Sequence, residues 1–338
     1  MIRDAIAALV DGRDLTEAEA ASCMEELMTG EATPAQIAAF LVALRLKGET
    51  VDEITGMARV MREKSLHVEV AGPLLDTCGT GGDASGTFNA STAAAFVAAG
   101  AGARVAKHGN RAMTSACGSA DVLEALGVKI DLAPEGVAAS IEQAGIGFMF
   151  AQAFHPAMKH VAPVRREIGV RTVFNILGPL TNPAGAQSQV LGVADALLAE
   201  KLAEVLGRLG VKRALVVHGE DGLDEVSPNA PTLVYDLQGG RVTISRVDPA
   251  GLGLAAHEAG EVRGGSADEN AAALRRVLGG EQGALRDFTL LNAAAALVAG
   301  GLAADFKEGI ARAANSIDSG AAQERLEAMV RVSNEVHA

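Results

Sequence analysis

Residues 76–92, Asp-Thr-Cys-Gly-Thr-Gly-Gly-Asp-Ala-Ser-Gly-Thr-Phe-Asn-Ala-Ser-Thr, join a short apolar run to a helical run through glycines, hydroxyls and the carboxylate of Asp83. A chain that leaves a strand, turns through that many glycines and enters a helix forms a β-loop-α unit. Its loop can aim backbone N–H groups at an oxyanion. The helix start adds unpaired amides and the positive end of its dipole, and Ser91 and Thr92 add hydroxyl donors. Asp83 fits a phosphate cradle only if a cation or its water lies between the two negative charges. The loop therefore predicts a metal-bridged phosphate site, with more metal ligands elsewhere in the chain.

The surrounding pattern predicts an α/β protein with a separate helical start. From residue 1 to about 65 apolar residues recur only at helical spacing (Ile6, Leu9, Val10; Met24, Leu27, Met28; Ile37, Phe40, Leu41, Leu44), with helix starts at Thr16/Glu19 and Thr33-Pro34. From Leu74 short strand-like runs, 74–77, 104–106, 146–150, 189–193, 214–218 and 233–236, alternate with helical patterns at 89–99, 119–126, 134–144 and 196–209. That alternation predicts a doubly wound, mostly parallel sheet, and the tail from about 267 returns to helices.

Composition narrows the partners. Lys+Arg of 29 against Asp+Glu of 42, net −13, leaves no basic surplus for nucleic acid or an anionic membrane. The apolar runs 93–103 and 290–304 are too short for a membrane span, and Met1-Ile2-Arg3-Asp4 lacks the apolar core of a signal peptide. Cys23, Cys78 and Cys117 show no metal or disulfide spacing, so a reduced, cytoplasmic protein is expected, with none of the three catalytic.

Four constellations carry chemistry, each with a plainer alternative. Gly79-Thr80-Gly81-Gly82-Asp83-Ala84 formally fits a dinucleotide fingerprint. However, Ser85-Gly86-Thr87 prolong the loop, and the acidic ribose ligand expected about 20 residues on is replaced by Arg104 and Lys107. Lys107-His108-Gly109-Asn110-Arg111 through Ser115 follows a strand-like run, with Ser119 expected to cap the next helix, and so delivers cations to the carboxyl edge of the sheet. A solvated charged loop is its alternative, and His108 alone could be structural. His155-Pro156, Arg165-Arg166-Glu167, Arg171 and the turn-dense apolar run 174–183 could grip a carboxylate through Arg, or form a charged helix face. Asp224-Glu225, at the end of the strand-like run 214–218 and its turn, suit Mg²⁺ or a solvated acidic turn.

Together the glycine loop, Asn89-Ala90-Ser91-Thr92, Lys107-His108-Gly109-Asn110-Arg111, residues 171–183 and Asp221-Gly222-Leu223-Asp224-Glu225 closely resemble the anthranilate phosphoribosyltransferases, in order over nearly the whole chain. The glycine loop is shared with pyrimidine nucleoside phosphorylases; the Lys107–Arg111 and 171–183 runs are far more specific. A nucleoside phosphorylase and a non-catalytic nucleic-acid-binding relative are the competing classes. Gln152 stands where many relatives carry Pro.

The resemblance implies a helical domain, 1–70, joined by helices from about 160–180, and an α/β domain, 71–338, that binds phosphoribosyl pyrophosphate (PRPP). It implies a homodimer formed through the helical part and transfer of phosphoribose from PRPP to anthranilate with Mg²⁺, the second step of tryptophan biosynthesis. PRPP would be held by Gly79, Gly82, Asp83, Thr87, Asn89, Ser91, Thr92, Lys107, Ser115 and Ser119. Anthranilate would face Gly79, Asn110 and Arg165, and Mg²⁺ would take Ser91, Asp224 and Glu225. His108, between the substrates, and Arg165 would be the catalytic positions.

Overall fold

The computed structural model of the chain describes residues 1–112, 116–255 and 257–336. Among them, seven strands form one sheet: β1 Leu75–Gly79, β2 Val105–Gly109, β3 Ile146–Phe150, β4 Ser188–Gly192, β5 Arg213–Gly219, β6 Thr232–Gln238 and β7 Arg241–Val247, in the order β3-β2-β1-β4-β5-β6-β7. The first five run parallel; β6 and β7 close one edge antiparallel. From β1 the chain winds to β2 and β3 on one side and then crosses to β4 on the other. The β1/β4 boundary is thus a topological switch point, where open α/β sheets bind ligands beyond the strand ends.

Six strands match the sequence expectation, and β7 is additional. Its residues RVTISRV are mostly exposed, so it lacks the apolar run of a buried strand. Gly239 and Gly240, both at positive φ, make the two-residue hairpin from β6.

The helical start comprises α1 Ile2–Val10, α2 Glu17–Thr29, α3 Pro34–Lys47 and α4 Val51–Glu63. Reciprocal capping boxes start α2 (Thr16/Glu19), α3 (Thr33/Gln36) and α4 (Thr50/Glu53). After β1 come α5 Ala90–Gly100, then α6 Ser119–Ala125 and α7 Pro134–Ala144. The cap of α6 differs from expectation: Gly118 occupies it, and Asp121 Oδ2 accepts both the Gly118 and Ala112 N–H groups at 2.9 Å. Ser119 is the first helical residue, its hydroxyl turned toward the Asn110 carbonyl at 3.4 Å.

Two large apolar cores lie on opposite faces of the sheet. One packs α5 and the C-terminal helices Ala284–Ala299 and Ala321–Glu335 over β1, β2 and β5. The other joins α1–α4 to the returning residues Val161, Val164, Phe174, Ile176 and Leu177 and to the helix Ala196–Arg208. The helical start is therefore fused to the sheet through the returning segment. Polar contacts cross the same seam: Arg62 of α4 donates from Nε to the Leu180 carbonyl at 2.7 Å and from Nη1 to that of Leu209 at 2.9 Å. Its burial lowers its pKa to about 10.

Replacing Arg62 by Ala should strand both carbonyls and lower unfolding stability by about 2–4 kcal/mol. Urea denaturation measures it; a loss below about 0.5 kcal/mol would mean that the seam does not depend on this side chain.

Candidate active site

The switch point is built around Asp224. Its carboxylate and backbone lie so close to Gly79, ending β1, and Gly192, ending β4, that a Cβ at either glycine would overlap it. Glycine here is a space requirement rather than a matter of flexibility. From this position Asp224 Oδ2 accepts the Gly81 N–H at 2.7 Å, and Glu225 Oε1 accepts the Ser91 N–H, in the first turn of α5, at 3.2 Å. The adjacent acids thus fasten both ends of the glycine loop.

The loop itself turns through Gly81, Gly82, Ala84 and Gly86, all at positive φ, with Ala84 the one non-glycine residue so placed among those described. Inside it Ser85 Oγ bonds to Asp83 and lies 3.2 Å from Thr87 Oγ1. Outside it residues 262–264 brace it, with Phe88 N–H donating to the Val262 carbonyl and Gly264 N–H to that of Gly86, each at 2.9 Å. Asn270 Nδ2 donates to Asn89 Oδ1 at 2.9 Å, and Asn89 in turn to the Cys117 carbonyl. The hydroxyl of Thr92 is buried without a partner, a donor left over at the helix start.

Electrostatically the pocket disfavours the charged forms of its acids. Burial, reinforced by Glu225 and Asp83, pushes the Asp224 carboxyl well above its ordinary range. Burial likewise raises Glu225 to about 7, against the pull of Lys107 and of Ser91's amide and hydroxyl. Lys107 is buried on β2, its ammonium donating to the Thr77 carbonyl. Among the described residues no three His, Cys, Asp or Glu groups form a ready metal cage. A cation here would need oxygens from a ligand or water as well, as Mg²⁺ commonly does.

Beside this pocket β1 and β2 part company. They keep one register pair, Leu75↔Val105, whereas β2 and β3 pair along five residues. Fully buried Asp76 bridges the gap, accepting the His108 N–H at 3.1 Å and Asn182 Nδ2 at 2.7 Å. Asn182 also donates to the Ala106 carbonyl, tying the turn after Gly178–Leu180 to β2.

His108 and His155 meet in the same buried region, Nε2 to Nε2 at 3.3 Å. One ring donates to the other across this contact, so the two imidazoles share a single proton between their Nε2 atoms. Burial, then the neighbouring His155, lowers His108 to about 3; burial lowers His155 to about 4. Both rings are neutral near pH 7.

Arg165, on the helix Ala162–Ile168, lies over the Phe174 ring, 5.2 Å from its centroid. Burial lowers its pKa, and it makes no ion pair or hydrogen bond with another described side chain. This is not the ion-paired helix face of the plainer sequence alternative. Asn110 Oδ1 accepts from Gln152 Nε2 at 3.4 Å. Ser115 lies outside the described residues. Cys78 is pushed well above its ordinary pKa by burial and Asp76, the state of an unreactive thiol.

The expected residues Gly79, Asp83, Ser91, Lys107, Asp224 and Glu225 come together at the switch point. His155, Asp76, Asn182, Asn270 and Gly192 belong to the site without a role having been assigned from sequence. His155, Asp76 and Asn182 fall within motifs visible in the sequence, though without these roles; Asn270 and Gly192 act through tertiary contacts that leave no local signal.

A sheet of this order with a glycine loop and an acid pair at its switch point, fused to a helical bundle, defines a two-domain glycosyl transferase. Residues 71–323 match the model of the glycosyl transferase family, a/b domain, and 3–65 that of its helical bundle domain. The chain belongs to the anthranilate phosphoribosyltransferase family. It is 62% identical over 334 residues to the anthranilate phosphoribosyltransferase of Chloroflexus aurantiacus, covering 98% of each chain. Among solved structures it is similar to anthranilate phosphoribosyltransferase from Thermus thermophilus (49% identity, TM-score 0.92, 98% of this chain and 99% of that one). It is also similar to the Saccharomyces cerevisiae enzyme in complex with PRPP and Mg (30% identity, TM-score 0.90, 99% and 98%).

The histidine pair sets a pH dependence of stability. An unfolded histidine titrates near 6.5, so between that value and about 4 the unfolded chain binds protons that folded His108 and His155 refuse. Stability should fall as pH drops from 7 to 5, by roughly 1–2 kcal/mol per histidine. His155→Gln should flatten that fall in urea titrations; an equal fall in the variant would contradict the buried neutral pair.

Proposed function

We propose that this chain transfers the phosphoribosyl group of PRPP to the amine of anthranilate, giving N-(5-phosphoribosyl)anthranilate and pyrophosphate, the second step of tryptophan biosynthesis. The observation that carries the reading is the acid pair that fastens both ends of the glycine loop at the switch point. A nucleoside phosphorylase, using inorganic phosphate in the same cradle, need not share a metal requirement or such a pair.

In this reading the amides of the glycine loop and the start of α5, the hydroxyls of Thr87, Ser91 and Thr92, and Lys107 hold the phosphates, with Gly79, Gly82, Asp83, Asn89, Ser115 and Ser119 completing the PRPP subsite. The donor set fits Mg²⁺: Ser91 beside Glu225, and acids whose charged forms, disfavoured by desolvation and by neighbouring carboxylates, a cation would stabilise. Bound there, Mg²⁺ would neutralise negative charge on the leaving pyrophosphate. No nucleophile is required of the protein, because the aryl amine attacks the ribose carbon directly. What the protein must do is place that amine. Arg165, with its unpaired guanidinium, would grip the anthranilate carboxylate beside Asn110 and Gly79. His108, neutral near pH 7, orients by hydrogen bonding and supplies no stored proton.

For the domains we propose 1–70 with the returning 160–180 segment as one unit and 71–338 as the other. A homodimer through the helical part accords with the exposed Val10, Leu46 and Val170 and with the groove between Ala38 and Val164. A cytoplasmic setting suits three cysteines without a disulfide.

Pyrophosphate release from PRPP should require both anthranilate and Mg²⁺, without phosphate-dependent nucleoside cleavage; the reverse pattern would favour the phosphorylase. In the same assay Arg165→Ala should raise the KM for anthranilate about 10- to 150-fold, the equivalent of about 1.5–3 kcal/mol of charge-assisted hydrogen bonds. The KM for PRPP should hold, and Lys at this position should rescue only part. A defect confined to PRPP would remove Arg165 from the anthranilate subsite.

A further inference from the structure

Arg171 is an exposed cation in an acidic chain, yet its partners are backbone carbonyls. Its Nη2 donates to the carbonyls of Gly81 at 3.0 Å and Thr80 at 3.3 Å. The guanidinium lies so close on Gly82 that a Cβ there would overlap it. Gly81 is therefore held twice, its N–H by Asp224 and its C=O by Arg171. The next turn needs such support: Gly82 and Ala84 sit at φ of +86° and +55°, and for alanine that conformation is unfavourable. A cleft of about 420 Å³ lined by Thr80–Gly82, Arg171, Arg45, Asp195 and Lys201 opens beside the loop, so that packing does not hold it on that side.

We infer that Arg171 is a positioning residue that pins the glycine loop in its phosphate-binding shape. The inference rests on the proposed function, because the loop's ligand is taken to be PRPP. Arginine is well matched to the position, since its planar guanidinium lies flat against Gly82 while Nη2 reaches both carbonyls, and a compact lysine ammonium has no such plate.

The test is steady-state kinetics of Arg171→Ala and Arg171→Lys, paired with hydrogen–deuterium exchange of residues 80–86 in the free protein. Arg171→Ala should raise the KM for PRPP about 10- to 100-fold while the KM for anthranilate moves less than about twofold. Loop amides should exchange faster in the free variant and return to the wild-type rate when PRPP saturates it. Lys should restore only a small part of either effect. An unchanged KM for PRPP, an equal rise for both substrates, or unchanged loop exchange would each overturn the pin. Should Arg171→Ala fail to fold, Arg171→Lys carries the same comparison. If the wild-type protein transfers no phosphoribosyl group, the proposed function fails, whereas loop exchange in the free protein still reports on the pin.

Discussion

Two adjacent carboxylates hold backbone amides at the one place where the winding of the sheet reverses, and the rest of the site is arranged around that contact. Asp224 reaches its place because β1 and β4 both end in glycine; any side chain at Gly79 or Gly192 would displace it. Once there it fixes Gly81, while Glu225 fixes Ser91 and with it the start of α5. The arrangement is incomplete on its own. The acids are half-buried beside Asp83, where desolvation and neighbouring carboxylates disfavour their charged forms until a counterion is present. A cation shared with a polyphosphate answers that need; an anion alone would add to the repulsion.

The opening proposed for the second substrate follows a different logic. The opening between β1 and β2 is held by neutral or internally satisfied groups: Asp76 between His108 N–H and Asn182, and two histidines that share one hydrogen bond. Such a region suits an aryl amine, which is itself neutral near pH 7. The acid-lined cradle and the neutral opening lie on either side of β1, so in the proposed reaction the strand would separate leaving group from nucleophile. Lys107 links them, reaching from β2 to the carbonyl of Thr77.

Much of this is legible in the sequence because it is local. The glycine loop, the capping boxes of α2 and α3 and the strand-helix alternation depend on residues within a few positions of one another, and the resemblance rests on such contiguous runs. Other features are pairwise and distant. Nothing near Gly192 in sequence says that the backbone of a residue thirty-two positions on must pass it. Asp76 reads as part of a strand and becomes a brace only when Asn182 is folded against it. β7 is hidden because an exposed edge strand carries no apolar run. Ser119 has the chemistry of a cap, yet Asp121 satisfies the preceding amides from inside the helix.

The central claim is that the acid pair shapes the cradle before any ligand binds. Amide exchange at Gly81 and Ser91 in the ligand-free, metal-free protein tests it directly, comparing wild type with the Asp224→Ala, Glu225→Ala double variant. The account predicts protection at both amides in the wild type and loss of about tenfold or more in the variant, corresponding to about 1.4 kcal/mol, with the amides of β1 and β4 unchanged. Equal exchange at Gly81 and Ser91 in the two proteins would contradict it.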